Sequence, residues 1–161
     1  MSLLKFTSKG IYCSQADVYL DPWKGVNKAL ISHGHSDHAR WGSKHYITNE
    51  INVPIIKHRL GSISVSGKKY GESFNINGVK FSFHPAGHVP GSSQIRAEYK
   101  GEVWVFTGDY KTQKDGISTP FEPIRSNSLI KISLCLWSAS YRMQEGVQAM
   151  IRFSRRISLR L

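Results

Sequence analysis

Six consecutive residues, His33-Gly34-His35-Ser36-Asp37-His38, hold four groups able to bind a metal ion. They follow directly on an apolar run, Ala29-Leu30-Ile31, so the group stands at the mouth of a strand. In extended chain alternate residues share a side, which sends His33 and His35 the same way and leaves Asp37 and His38 to turn toward a neighbouring ion. Imidazole nitrogen and carboxylate oxygen suit zinc, manganese or iron, and the chemistry that such ions support at an open site is hydrolysis. The two cysteines, Cys13 and Cys135, stand far apart, which argues against a thiolate zinc knot or a disulfide framework; both are expected as partly buried thiols.

Two later segments offer further donors. In Pro85-Ala86-Gly87-His88-Val89-Pro90-Gly91-Ser92 a histidine sits among glycines and prolines, where the backbone can approach an ion closely. In Val103-Trp104-Val105-Phe106-Thr107-Gly108-Asp109 an apolar strand ends in a carboxylate. Other polar residues have plainer readings. His45 and His58 read as surface or packing histidines, His84 as a strand-end residue beside the site, and Lys68-Lys69 as a solvated turn. Trp23 and Trp41 can stack on bases, although such residues more often pack a loop against a sheet. Arg40 can reach a phosphate near the metal ligands, or simply open a helix in solvent.

The elements that must position these donors are mostly strands. Leu3 to Thr7, Ile11 to Cys13, Val18 to Leu20, Ala29 to Ile31, His45 to Thr48 and Ser62 to Ser66 read as short strands, and Ile55 to Leu60 after Pro54 reads as one or two helical turns. Residues 73–83 alternate about Asn77-Gly78, a strong hairpin signal, and a second hairpin runs from Gln94 to Thr107 about Lys100-Gly101. Stacked sheets with helices on the outside are expected from this order.

At 161 residues the chain is about one domain, and its 40 % hydrophobic content excludes general disorder. No apolar run is long enough to span a bilayer, and the first residues lack the core of a secretory signal, so a cytoplasmic address and no membrane partner are expected. The net charge of +11 points to a polyanionic partner. Nearly half of that excess, +5, sits in residues 126–161, which contain seven serines, five arginines, no aspartate and no proline. That segment keeps neither a strand period nor a helical stripe.

Taken together, these pieces resemble the metallo-β-lactamase superfamily. His33, His35, Asp37 and His38 match its His-x-His-x-Asp-His motif, His88 its next histidine ligand, Asp109 its bridging aspartate, and Asp21 the aspartate that orients the metal loop. Residues 86–92 and Phe106-Thr107-Gly108-Asp109-Tyr110 look like the nucleic-acid-processing β-CASP branch. Gly10-Ile11-Tyr12-Cys13, Asp21-Pro22-Trp23, residues 38–42 and Thr119-Pro120-Phe121-Glu122-Pro123 look like the bacterial ligase-associated DNA exonucleases, also described as mRNA 3′-end processing-like exonucleases.

The resemblance implies an α+β fold, the N-terminal part of a metallo-β-lactamase αββα sandwich, with residues 1–125 as a partial domain. It implies two divalent metal ions, zinc or manganese. His33, His35 and His88 would hold one, Asp37 and His38 the other, with Asp109 between them, and Asp37 and Asp109 would be catalytic. The function implied is phosphodiester hydrolysis on nucleic acid, DNA before RNA, by an exonuclease of DNA repair or RNA processing, with a DNA ligase and helicase repair system as partners. A small-molecule hydrolase of the same fold and a metal-binding remnant without turnover are the alternatives. After Ile130 the resemblance calls for a Glu-Ser-Thr-Phe/Tyr-Gly-like motif and later histidines; Lys131-Ile132-Ser133-Leu134-Cys135 stands there instead. The expectation is a frameshift near Leu129, a partial site, and a poorly ordered tail over 126–161 exposing Leu134, Leu136, Trp137 and Ile151.

Overall fold

A computed structural model describes residues 2–131, which form two sheets stacked face to face. The first sheet contains Leu4–Thr7 (β1), Gly10–Cys13 (β2), Val18–Leu20 (β3), Lys28–Ile31 (β4), His45–Asn49 (β5) and Val65–Lys68 (β6), in that spatial order. Strands β1 to β3 pair antiparallel, and β3 to β6 run parallel. The second contains Phe74–Ile76 (β7), Val79–Pro85 (β8), Ser93–Tyr99 (β9), Glu102–Phe106 (β10) and Ser128–Ile130 (β11), in the order β11-β10-β9-β8-β7. Its pairs are antiparallel except β10 with β11. Both hairpin turns lie where the sequence puts them. Asn77 and Gly78, and Lys100 and Gly101, all have positive φ, as a type I′ turn requires.

Alternation along the strands decides what fills the space between the sheets. Register rows Phe81–Ala97–Trp104 and Phe83–Ile95–Phe106 of the second sheet face Ile11, Cys13, Val18, Leu20 and Leu30 of the first. The small Ala97 between two large rings lets the row pack flat against its opposite. Cys13 is fully buried, so its thiol belongs to this core. Strand β4 is buried on both faces: Leu30 points into the core, while Ala29 and Ile31 lie with Tyr46 under Ile56 of the helix Asn52–Leu60 (α1).

Several boundaries differ from the sequence reading. The helix begins three residues earlier than Ile55, because Pro54 lies in its first turn, where an amide hydrogen has no helical acceptor and none is lost. Strand β6 sits nearer to Lys68 than expected, set by pairing Tyr46 with Val65 and Asn49 with Lys68. The sheet also runs past the boundary drawn after residue 125: Asn127 accepts from the Val103 amide at 2.8 Å and donates its own to the Val103 carbonyl at 2.8 Å, and β11 follows. Between them residues 110–127 cross the outer side of the second sheet, tied by Lys111 N–H to Ala86 O, Glu122 N–H to Pro85 O and the Gln94 side chain to Glu122 O. Among the described residues α1 is the one helix, and none is long and apolar enough to cross a membrane. The expectations for Cys135 and for the rest of the tail lie outside the described residues.

Candidate metal centre

The donors converge where three strands end at one edge of the sandwich. Strand β4 delivers Ser32 and His33, the β8–β9 connection delivers His88, and β10 delivers Asp109. Gly108 has φ +54, and a side chain there would collide with Ser32 at 2.7 Å, so only glycine lets the two sheets close over this point.

Two donor sets result. His33, His35, His88 and Asp109 each present one ligand atom, all within 4.8 Å of one another, and Asp37, His38 and Asp109 do the same beside them. In the first set His88 Nε2 lies 3.4 Å from His35 Nδ1, and His33 Nε2 and His88 Nε2 each lie 3.7 Å from Asp109 Oδ2. In the second, His38 Nε2 is 3.4 Å from Asp109 Oδ1 and 3.5 Å from Asp37 Oδ2. Donors about 2.0–2.1 Å from a tetrahedral ion stand about 3.4 Å apart, so these spacings are those of atoms that share an ion. Asp109 turns one oxygen to each set.

The sites fit metal on a second ground. His33 Nε2 and Asp109 Oδ1 are buried and have no hydrogen-bond partner among the described residues. Leaving such atoms unmatched costs about 1–3 kcal/mol each, a cost that a bound cation removes.

Asp21 organises the first half of the site. Its Oδ1 accepts from Ser32 N–H at 2.7 Å; its Oδ2 accepts from Ser32 Oγ–H at 2.5 Å and from His38 Nδ1–H at 2.6 Å. His38 is thereby left with Nε2 toward Asp109 and Asp37. Having given its proton to Asp21, the Ser32 hydroxyl can accept from His33 Nδ1 at 3.0 Å, which frees His33 Nε2 to bind an ion. Burial, with the charge of His38 adding, holds the His33 pKa down to about 2, so the ring is neutral and able to bind metal. Burial also lowers His88. At His38 burial again opposes protonation, but the neighbouring carboxylates of Asp109 and Asp21 outweigh it and raise the ring to about 10 without an ion. Asp109 is held low because the neighbouring His38 outweighs its burial. A cation at the second set must therefore displace a proton from His38.

All the donors named from sequence meet here, and Asp21 stands behind them. Three residues that carried no sequence signal as functional also belong to the site. Ser32 is one. Asn52, at the start of α1, donates from Nδ2 to Gly91 O at 2.7 Å and to Ser32 O at 3.5 Å, tying the His88 loop to the strand end before His33. Arg59, two turns on, donates to the carbonyls of Gly34 and Ala39, which bracket His35 to His38. Arg40 is exposed just after the turn at 36–38 rather than opening a helix, with Nε near the Asp37 carbonyl at 3.4 Å. The plainer readings hold in part. His45 is held between Ser64 and Ser66, His84 contacts Ser82 and Glu122 across the second sheet, and His58 is exposed on α1. Lys68 ends β6 and pairs with Glu72 at 2.8 Å, while Trp23 and Trp41 are exposed.

No family model matches the chain. Over 63 residues it is 38 % identical to endoribonuclease YSH1 of Saccharomyces cerevisiae, covering 38 % of this chain and 8 % of that protein. Over 53 residues it is 40 % identical to RNase aCSPSF2 of Saccharolobus solfataricus, covering 33 % and 11 %. A probable DNA ligase of Opitutus terrae is 26 % identical over 117 residues, covering 70 % and 11 %. The matches thus span about a tenth of these relatives' lengths. A solved metallo-β-lactamase HARLDQ-motif mutant from Cronobacter sakazakii is 14 % identical, covering 64 % of this chain and 54 % of that one, with a TM-score of 0.47. The ligand motifs and the matched relatives together support the resemblance to the metallo-β-lactamase/β-CASP superfamily.

Proposed function

We propose that this chain carries the metal centre of a hydrolase that cleaves phosphodiester bonds in nucleic acid. The observation that carries the reading is the carboxylate of Asp109, buried between two donor sets with one oxygen facing each. His33, His35, His88 and Asp109 would hold one divalent ion, and Asp37, His38 and Asp109 a second, with zinc the first choice for so many imidazoles and manganese the alternative. When bound, such ions activate water as a nucleophile and neutralise charge on a transferring phosphoryl group.

The chain's own residues set the rest. Asp21 and Ser32 keep His38 and His33 aimed with their free nitrogens toward the ions. The Asp37 side chain is 60 % exposed at the mouth of the site, placed to accept the proton of the nucleophile from the solvent side. Arg40, three residues on and exposed, is suited to a phosphate that approaches this mouth.

Single-stranded DNA is the substrate we propose first, from the exonuclease-like motifs over 10–13, 21–23, 38–42 and 119–123 and the similarity to a probable DNA ligase, which also favours a repair setting. RNA is the second reading, favoured by two relatives whose names describe RNA cleavage. Incubation of end-labelled single-stranded DNA and RNA with the purified chain and zinc or manganese separates them. Chelator and Asp109→Asn should abolish cleavage. A ladder shortened from one end marks an exonuclease and internal products an endonuclease. Metal uptake without cleavage of either polymer would mean that this chain only binds metal, and turnover of a thioester or lactam alone would assign it to small-molecule hydrolysis.

A further inference from the structure

At the opposite end of β4 from His33, three lysines converge on one surface cavity. It has a volume of about 310 Å³ and is lined by Lys9, Lys28 and Lys44 together with Tyr19, Asn27 and Gly42. None of these lysines makes an ion pair among the described residues. One acid, Asp17, also lines the cavity, and its Oδ1 accepts a hydrogen bond from the Tyr12 hydroxyl at 2.8 Å. Three lysines against one carboxylate leave the cavity with an excess of positive charge, which an anion in the cavity relieves.

An aromatic surface adjoins the charge. Lys5, Tyr12 and Tyr19 occupy one register row across β1, β2 and β3, on the side of the sheet away from the core. The two rings have centroids 4.5 Å apart, and Lys5 Nζ lies 5.6 Å from the centre of Tyr12. Both tyrosines are half-buried, which fixes them as platforms while leaving part of each open. Lysines beside tyrosines on a sheet face are what a nucleic-acid single strand needs, because the backbone supplies the charge and every base has a face to stack.

The chain itself links this region to the metal centre. Residues 38–44 run from His38 to the cavity-lining Gly42 and Lys44, and they expose Arg40 and Trp41, the latter to 76 %. Lys28 and His33 are five residues apart along extended chain, about 16 Å. We propose that the Lys9–Lys28–Lys44 cavity with the Tyr12–Tyr19 face is a second contact for single-stranded nucleic acid, holding the strand a few nucleotides from the metals. This rests on the nucleic-acid reading of the metal centre but not on turnover there.

The test is fluorescence anisotropy with labelled oligothymidylate and oligouridylate, about 12 nucleotides long to exceed one small binding site, on the full chain in chelator so that no ion contributes. Replacing Lys9, Lys28 and Lys44 together by Ser should weaken binding at least about tenfold and reduce the salt slope by about 2, the value for three phosphate contacts on a single strand. Replacing the same three by Arg should retain binding. Serine at Lys57, Lys80 and Lys100 removes equal charge elsewhere and should cost less than about threefold. Tyr19→Leu should weaken binding with the salt slope unchanged. Equal losses in the two serine triples, or no binding by the unaltered chain, would overturn the proposal. Cleavage assays with metal are read separately, so loss of turnover with binding intact would count against the nuclease reading alone.

Discussion

The two ends of the sandwich treat charge in opposite ways. Where β4, β8 and β10 end, His33, His38 and Asp109 are buried, and Asp21 and Ser32 specify the orientation of the histidines. Where β4 begins, Lys9, Lys28 and Lys44 are exposed, line a cavity, and make no ion pair among the described residues. Burial makes a polar group expensive unless its partners are exact in geometry, so the first end is built for a small ion with short, directed bonds. Exposure leaves long side chains hydrated and mobile, so the second end suits a diffuse polyanion whose attraction is screened by salt. Substitutions at the first end should therefore change metal affinity by large factors, and substitutions at the second should not change it at all.

The largest effect is expected from His35→Ala. His35 is exposed, so folding should be kept, while metal affinity should fall by more than tenfold, read by elemental analysis after dialysis. Unchanged metal content would remove the basis for the first donor set. Asp109→Asn comes next. An ion at about a hundred times its Kd stabilises the fold by about 2.7 kcal/mol, so the melting temperature in excess zinc should drop by several degrees in the variant. In chelator the drop should be much smaller, and an equal drop in both media would make Asp109 a structural turn residue.

Asp21→Asn tests the orienting layer. An amide can donate where the carboxylate only accepts, which disturbs the bonds to Ser32 and His38; metal affinity should fall about 10- to 100-fold, as is usual for outer partners of metal-binding histidines. Asn52→Ala unties the Gly91 and Ser32 carbonyls and should weaken metal binding by about tenfold, at the lower edge of that range. A cobalt-substituted sample should then show an altered absorption spectrum, which a purely structural role for Asn52 would leave unchanged.

The smallest effect concerns neither end. Asp115 accepts from the amides of Ser118 and Ile117, and these bonds, with Lys111 nearby, hold its carboxyl well below the usual range. A depressed folded-state pKa means the contribution is full above the unfolded value of about 3.9 and is lost as pH falls below it toward the folded value. Amide exchange at Ile117 and Ser118 should therefore accelerate only in strong acid, and Asp115→Ala should show that acceleration at neutral pH without altering metal affinity.

Much of this was readable in advance, for reasons that differ between residues. Alternation and positive-φ dipeptides are local, so the β7–β8 and β9–β10 hairpins and their turns are legible in the order of residues alone. The helix starts before Pro54, which the sequence pattern does not signal, because a proline lacking an amide hydrogen fits the first turn without loss. Strand β11 leaves no trace in the sequence pattern because three residues, Ser128 to Ile130, carry no period long enough to read, and their place depends on an available edge at β10. Arg59 and Asn52 look like ordinary helix residues; only the fold brings their donors to the carbonyls of a distant loop.

What the sequence by itself determined was the set of donors and their chemistry: four ligands in six residues, a histidine flanked by glycines, a carboxylate closing an apolar strand. Only the tertiary structure decided which atoms face one another. Asp109 serves both donor sets because two sheets meet at Gly108 and Ser32, and His33 offers Nε2 because Ser32 has given its proton to Asp21. Ligand identity is written residue by residue along the chain. Donor geometry depends on distances of tenths of an ångström between segments far apart in sequence, and those are set by packing.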